Sequence, residues 1–193
     1  MKNNVSFNST LTKFGMGLFE TIKVTDYPLD LDLHMNRLFN SIKELNLSIE
    51  NDKEFYKETI LKYIKENNVK NKALRLTVFD EGYNISLRDI TYNEDTYKKG
   101  FSLCISPIKR GDSIIYRHKT TNYFESMYSK HYATDRNFDD AIFLDSLSNI
   151  LECSMSNIFF IKSNTIYTPK SSSPILNGIM KSNVKSICKN LDI

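Results

Sequence analysis

Residues 139–169, DDAIFLDSLSNILECSMSNIFFIKSNTIYTP, admit few folds. The apolar runs AIFL, IL, IFFI and IY are too short for helices, and each is cut off by Asp, Ser or Asn. Short apolar runs bounded by turn residues read as strands. The segment therefore predicts closely spaced strands at DDAIFLD, NILEC, SNIFFIK and NTIYTP. A Ser/Pro loop and a last helix follow, in SSSPILNGIMKSNVKSICKNL.

The first half mixes both periodicities. GLFETIKVTDYPLDLDL alternates and predicts a strand, a turn at Asp26 to Pro28 and a short return strand. Leu33, Leu38, Ile42 and Leu45 recur at helical spacing behind Asp32, a candidate cap. Phe55, Ile60, Leu61 and Ile64 mark a second amphipathic helix. KALRLTVFDEGYNISLRDITY reads as strand, turn and strand, and GFSLCISPI as a strand closed by Pro107. A helix is expected over TTNYFESMYSKHYATDR, with Lys119 at its start. The whole reads as α+β in two lobes: a mixed lobe over 1–107, a connector at 108–117 and a strand-rich lobe over 118–193.

Charge and cysteine content narrow the function classes. The formal net charge is +3, with both signs interspersed and no basic block, so nothing points to nucleic acid. Cys104, Cys153 and Cys188 have neither disulfide-framework nor metal-ligand spacing, which suits a reducing compartment. The N-terminus lacks the apolar core of a signal peptide, and no apolar run reaches membrane-span length. A cytoplasmic protein without membrane segments is expected.

Four stretches carry candidate chemistry, each beside an ordinary reading. Lys119 lies among His118, Thr120, Thr121 and Asn122. Most lysines are solvated charges, but an amine that attacks an aldehyde needs a setting that frees it of its proton. Glu152 ends an apolar strand, either as a hairpin's polar edge or as a carboxylate beside a heterocyclic nitrogen. Ser154, Ser156 and Asn157 follow it and could orient a cofactor. The helix start near Gly178 is a cap or a phosphate cradle. His34 and Arg37 share a helix face, and a guanidinium suits phosphate. Together these form the inventory for holding pyridoxal 5'-phosphate.

On FGMGLFETIKV, LHMNRL, HKTTNY, the 139–169 segment and ILNGIMK, the chain resembles the class IV aminotransferases, pyridoxal phosphate enzymes of fold type IV. The matching stretches run from about residue 14 to 188 in the family's order. The family includes D-amino-acid and branched-chain aminotransferases and 4-amino-4-deoxychorismate lyases. The resemblance implies a two-lobed D-amino-acid aminotransferase-like fold, with a second lobe shorter than is typical, and a homodimer. It implies that Lys119 holds the cofactor and moves a proton at the substrate α-carbon. By position, Glu152 is the acid at the pyridine nitrogen and Arg37 a phosphate ligand. Gly178, Ile179 and Met180 form the phosphate cradle, and Leu176 packs on the ring. Ser156 and Asn157 are the polar pair after the glutamate, and Tyr123 contacts the cofactor side. FLDSLSNILEC, NGIMK and the short KTTNY spacing look most like the lyases, which release pyruvate and 4-aminobenzoate. The alternatives are an aminotransferase or a catalytically degenerate cofactor-binding relative. Met16 stands where the family usually has Asp between two glycines. Arg75, Arg88 and Arg110 are candidates, by charge alone, for a small amino substrate's carboxylates.

Overall fold

The computed structural model describes residues 1–192. The described residues divide into two compact units, the first comprising residues 1–91 and 119–122, the second 92–118 and 123–192.

In the first unit a short helix α1 (Thr10–Phe14) precedes strand β1 (Gly17–Val24). Helices α2 (Leu31–Glu44) and α3 (Lys53–Glu66) come next, then strands β2 (Lys72–Phe79) and β3 (Gly82–Asp89). The strands form an antiparallel sheet in the order β1-β2-β3. Alternation sends Leu18, Ile22, Leu74, Leu76 and Val78 into a core with Met35 and Leu38 of α2 and Tyr56, Ile60 and Ile64 of α3. Fully burying each of these large side chains contributes about 1.5–3 kcal/mol. Asp52 caps α3 by accepting from the Phe55 N–H at 2.8 Å.

Two local expectations change here. The cap of α2 is Asp30, in the left-handed region at φ 53°, because the chain must reverse sharply after Pro28. Asp32 instead meets Lys57 of α3 at 2.8 Å. The return strand reduces to a single Val24–Pro28 bridge, since α2 begins only three residues on.

The second unit opens with α4 (Glu94–Lys99) and β4 (Leu103–Arg110). A 3-10 turn (Ile114–Arg117) and α5 (Phe124–Thr134) lead to β5 (Asp140–Asp145) and β6 (Ile150–Cys153). A hairpin of β7 (Phe160–Lys162) and β8 (Thr165–Tyr167) and the helix α6 (Ile179–Asn190) complete it. The sheet order is β4-β5-β6, with β4 parallel to β5 and β6 antiparallel to it. Phe143, Leu151 and Ile175 form its apolar core.

The expected lobe boundary therefore moves. Strand β4 pairs with β5, so it belongs to the second unit rather than ending a 1–107 lobe. It also runs through Pro107 to Arg110, with a register shift between Ile105 and Lys109 that accommodates the missing N–H, so residues 108–110 are strand rather than connector. No helix among the described residues is long and apolar enough to cross a membrane, and no His, Cys, Asp and Glu cluster there could hold a metal ion.

Candidate active site

Lys119 is not at a helix start. Residues 119–121 run extended along the free edge of β1, and α5 begins only at Phe124. The Phe19 N–H donates to the Lys119 carbonyl at 2.9 Å and the Thr121 N–H to the Gly17 carbonyl at 2.8 Å. The Thr121 hydroxyl donates to the Gly15 carbonyl at 2.5 Å. Gly17 sits tightly against its neighbours: a Cβ there would lie 3.0 Å from the Val78 carbonyl and 3.1 Å from Thr121 Oγ1. This close approach holds the lysine segment on the strand.

Consecutive residues of β1 then serve cations on opposite faces. Phe19 faces away from α2, and its ring carries Arg75 at 3.6 Å and Lys119 Nζ at 4.5 Å from the centroid. The Arg75 Nε also donates to Thr77 at 3.3 Å. Glu20 points towards α2 and is 1% exposed. Its carboxylate accepts from Arg37 Nε at 2.8 Å and NH2 at 2.5 Å, and meets His34 Nδ1 at 2.7 Å. Burial pushes the Glu20 carboxyl up, but the His34 and Arg37 hydrogen bonds and charges outweigh it and hold it below its ordinary range. Glu20 and Phe19 were missed as functional residues. Their signal was available: in FETIKV a carboxylate occupies the core-facing phase of the alternation, ahead of HMNR on the next helix.

In the second unit β6 delivers Glu152, 7% exposed, into a set of donors. Arg110 NH1 donates to Oε1 at 2.7 Å, while Oε2 accepts from Asn157 Nδ2 at 3.0 Å and the Leu176 N–H at 3.2 Å. Several N–H donors favour the ionised carboxylate. Arg110 is itself buried, with the Phe143 ring 3.7 Å and the Tyr116 ring 4.7 Å from its guanidinium. It is thus occupied by Glu152 and is no free ligand for a substrate carboxylate. Arg88 is exposed on β3 and reaches the Asp89 carbonyl at 3.4 Å.

Asn157 also donates to the Leu176 carbonyl at 2.9 Å, so it ties Glu152 to the loop before α6. Gly178 caps that helix, and a Cβ there would lie 2.0 Å from Asn157 Oδ1. A glycine cap leaves the N–H groups of Ile179 and Met180 for an outside acceptor, as helix starts do. Ile179 is buried and Met180 exposed. Ser156 is exposed, its carbonyl accepting from the Cys153 N–H at 2.8 Å. Ser154 is buried and donates to Asp140, so it does not orient a ligand. Tyr123 is the N-cap residue of α5. Glu152, Asn157, Leu176 and Gly178 are thus brought together, whereas Lys119 and Arg37 are fixed from β1 in the other unit.

By type, these residues suit the parts of a phosphorylated pyridine aldehyde: the first unit offers the Lys119 amine, and the second a carboxylate in low-exposure surroundings and a glycine-capped helix start from which a side chain is excluded.

The family model for amino-transferase class IV matches residues 17–193. A Rickettsia felis protein named probable branched-chain-amino-acid aminotransferase is 30% identical over 178 residues, 83% of this chain and 60% of that protein. The Bacillus subtilis aminodeoxychorismate lyase is 26% identical over 189 residues, 87% of this chain and 63% of the lyase. The chain thus spans about three fifths of the length of these curated relatives. The crystal structure of the branched-chain aminotransferase from the archaeon Thermoproteus uzoniensis, with norvaline, superposes with a TM-score of 0.89 at 23% identity, over 100% of this chain and 71% of that one. The likeness bears out the expected α+β fold.

Proposed function

Because the chain belongs to the class IV amino-transferase family, we propose that it binds pyridoxal 5'-phosphate and acts on the α-carbon of a small amino substrate. The observation that carries this reading is the donor set around Glu152, which keeps an anion in a nearly solvent-free place suited to a protonated pyridine nitrogen. Bound pyridoxal 5'-phosphate supplies an electron sink for charge that develops at the α-carbon. Lys119 holds the aldehyde carbon and moves the α-proton. The N–H groups of Gly178, Ile179 and Met180 and the guanidinium of Arg37 bind phosphate. Leu176, Ser156, Asn157 and Tyr123 line the cofactor. Arg75, on the same ring as Lys119, is the candidate for a substrate carboxylate.

The reaction we favour is the cleavage of 4-amino-4-deoxychorismate to pyruvate and 4-aminobenzoate. FLDSLSNILEC, NGIMK and the lyase relative support it. Amino-group transfer is the second reading, favoured by the 30% identity to the Rickettsia felis protein. In either reading the active form is a homodimer, tested by sedimentation.

Titration with pyridoxal 5'-phosphate should give a visible absorbance band that borohydride removes and Lys119→Ala lacks. A chain that stays colourless would sink the cofactor reading. Pyruvate released from aminodeoxychorismate without a keto acid identifies the lyase, and transfer to 2-oxoglutarate the aminotransferase.

A further inference from the structure

We propose that Glu125 is a positioning residue that sets the charge around Glu152 by sharing its arginine. The proposal rests on the reading of Glu152 as the partner of the pyridine nitrogen. A carboxylate paired with one guanidinium is a neutral pair, and a neutral pair is a poor partner for a cationic ring N–H. Here the guanidinium is divided. Its NH1 donates to Glu152 Oε1 at 2.7 Å, its NH2 to the Ser126 hydroxyl at 3.3 Å, and its Nε faces Glu125 Oε2 at 3.8 Å. The last distance is too long for a hydrogen bond but lies well within charge contact. Both of those atoms are shielded from solvent, and neither has a hydrogen-bond partner among the described residues. One cation therefore serves two anions, and its charge is not Glu152's alone.

The arrangement is held in place. The Tyr116 hydroxyl donates to Glu125 Oε1 at 3.1 Å, while its ring lies 4.7 Å from the Arg110 guanidinium. Burial first, and then the Glu125 charge, hold that hydroxyl in its protonated, donating form. Lys181 of α6 and Cys153 are further ionisable neighbours of Glu152. The Lys181 ammonium is disfavoured by burial and by Lys185 and supported by Glu152, and the Cys153 thiol stays protonated. Neither touches Glu125. An acid in the first turn of α5 also suits the helix dipole, so the test must separate the two roles.

The experiment follows the Glu152 carboxyl by 13C NMR through a pH titration of the cofactor-free full chain. Removing a like charge favours the ionised form, so Glu125→Gln should lower the Glu152 midpoint by about half a pH unit. Glu125→Asp, which keeps the charge, should stay at the wild-type value. Tyr116→Phe keeps every carboxylate but releases Glu125; it should move the midpoint the same way by less, and it serves where Glu125→Gln does not fold. A midpoint unmoved in both Glu125→Gln and Tyr116→Phe overturns the coupling and leaves Glu125 a helix-end charge. Glu125→Gln should also weaken pyridoxal 5'-phosphate binding about threefold. Wild-type protein that binds no cofactor overturns the cofactor reading and the role drawn from it, whatever the titration gives.

Discussion

Glu20 holds Arg37 by a two-point fork, Oε1 to Nε at 2.8 Å and Oε2 to NH2 at 2.5 Å. The carboxylate is nearly inaccessible, so the pair fixes the direction of Arg37, and removing one partner alone leaves the other uncompensated.

Glu20→Gln should cost about 3 kcal/mol at neutral pH, measured by urea unfolding, because it leaves Arg37 without its buried counter-charge. The loss should be pH-dependent. The folded chain holds Glu20 below its ordinary value of 4.5, so the pair's contribution is complete above that pH. It disappears as pH falls through the folded value. In that acid range the wild-type stability should fall with a slope that the variant lacks.

Gly178→Ala should displace Asn157, whose Oδ1 occupies the space of the new methyl group. We expect a loss of about 1–3 kcal/mol and of pyridoxal 5'-phosphate affinity. In an Asn157→Ala background the same change should cost much less. Additive losses in that double-mutant cycle would refute the steric account.

Arg110→Met should destabilise by about 3 kcal/mol, since it withdraws the guanidinium from a buried carboxylate. Arg110→Lys should recover less than half of this, because a single ammonium cannot reach Glu152 and Ser126 from one position. Denaturant midpoints decide it.

Cys153 should resist alkylation in the native protein at neutral pH. Burial, with Asp140 nearby, pushes its thiol up to about 11. Cys104 and Cys188 are partly exposed and should label first by mass spectrometry.

Gly17→Ala should loosen residues 119–121 from β1, with a fall in stability of about 1–3 kcal/mol. Faster amide exchange at Phe19 and Thr121 would be its direct mark.

Strands and helices with a clear period were legible: β1, α2, α3 and the β2–β3 hairpin follow their alternation closely. Glu152 was legible because a carboxylate ending an apolar run is out of pattern. Arg110 was not, since residue type alone does not distinguish a buried guanidinium from a solvated one, and its partner stands 42 positions away. Lys119 was given the wrong setting for a related reason. A three-residue edge segment such as 119–121, held by one bridge, has no period of its own, and the helix pattern just after it dominates the window. The cap of α2 was misplaced because Asp30 and Asp32 offer the same chemistry, and only the backbone reversal selects between them.

The Thr121–Gly17 contact spans 104 positions in sequence. The strand ladders of the first sheet lie between residues 17 and 89 and can assemble from nearer contacts. Closing so long a loop carries an entropic cost that local pairing does not, so the lysine edge joins a sheet already formed. During synthesis, residues 119–121 reach their place on β1 only after the stretch that follows them has left the ribosome.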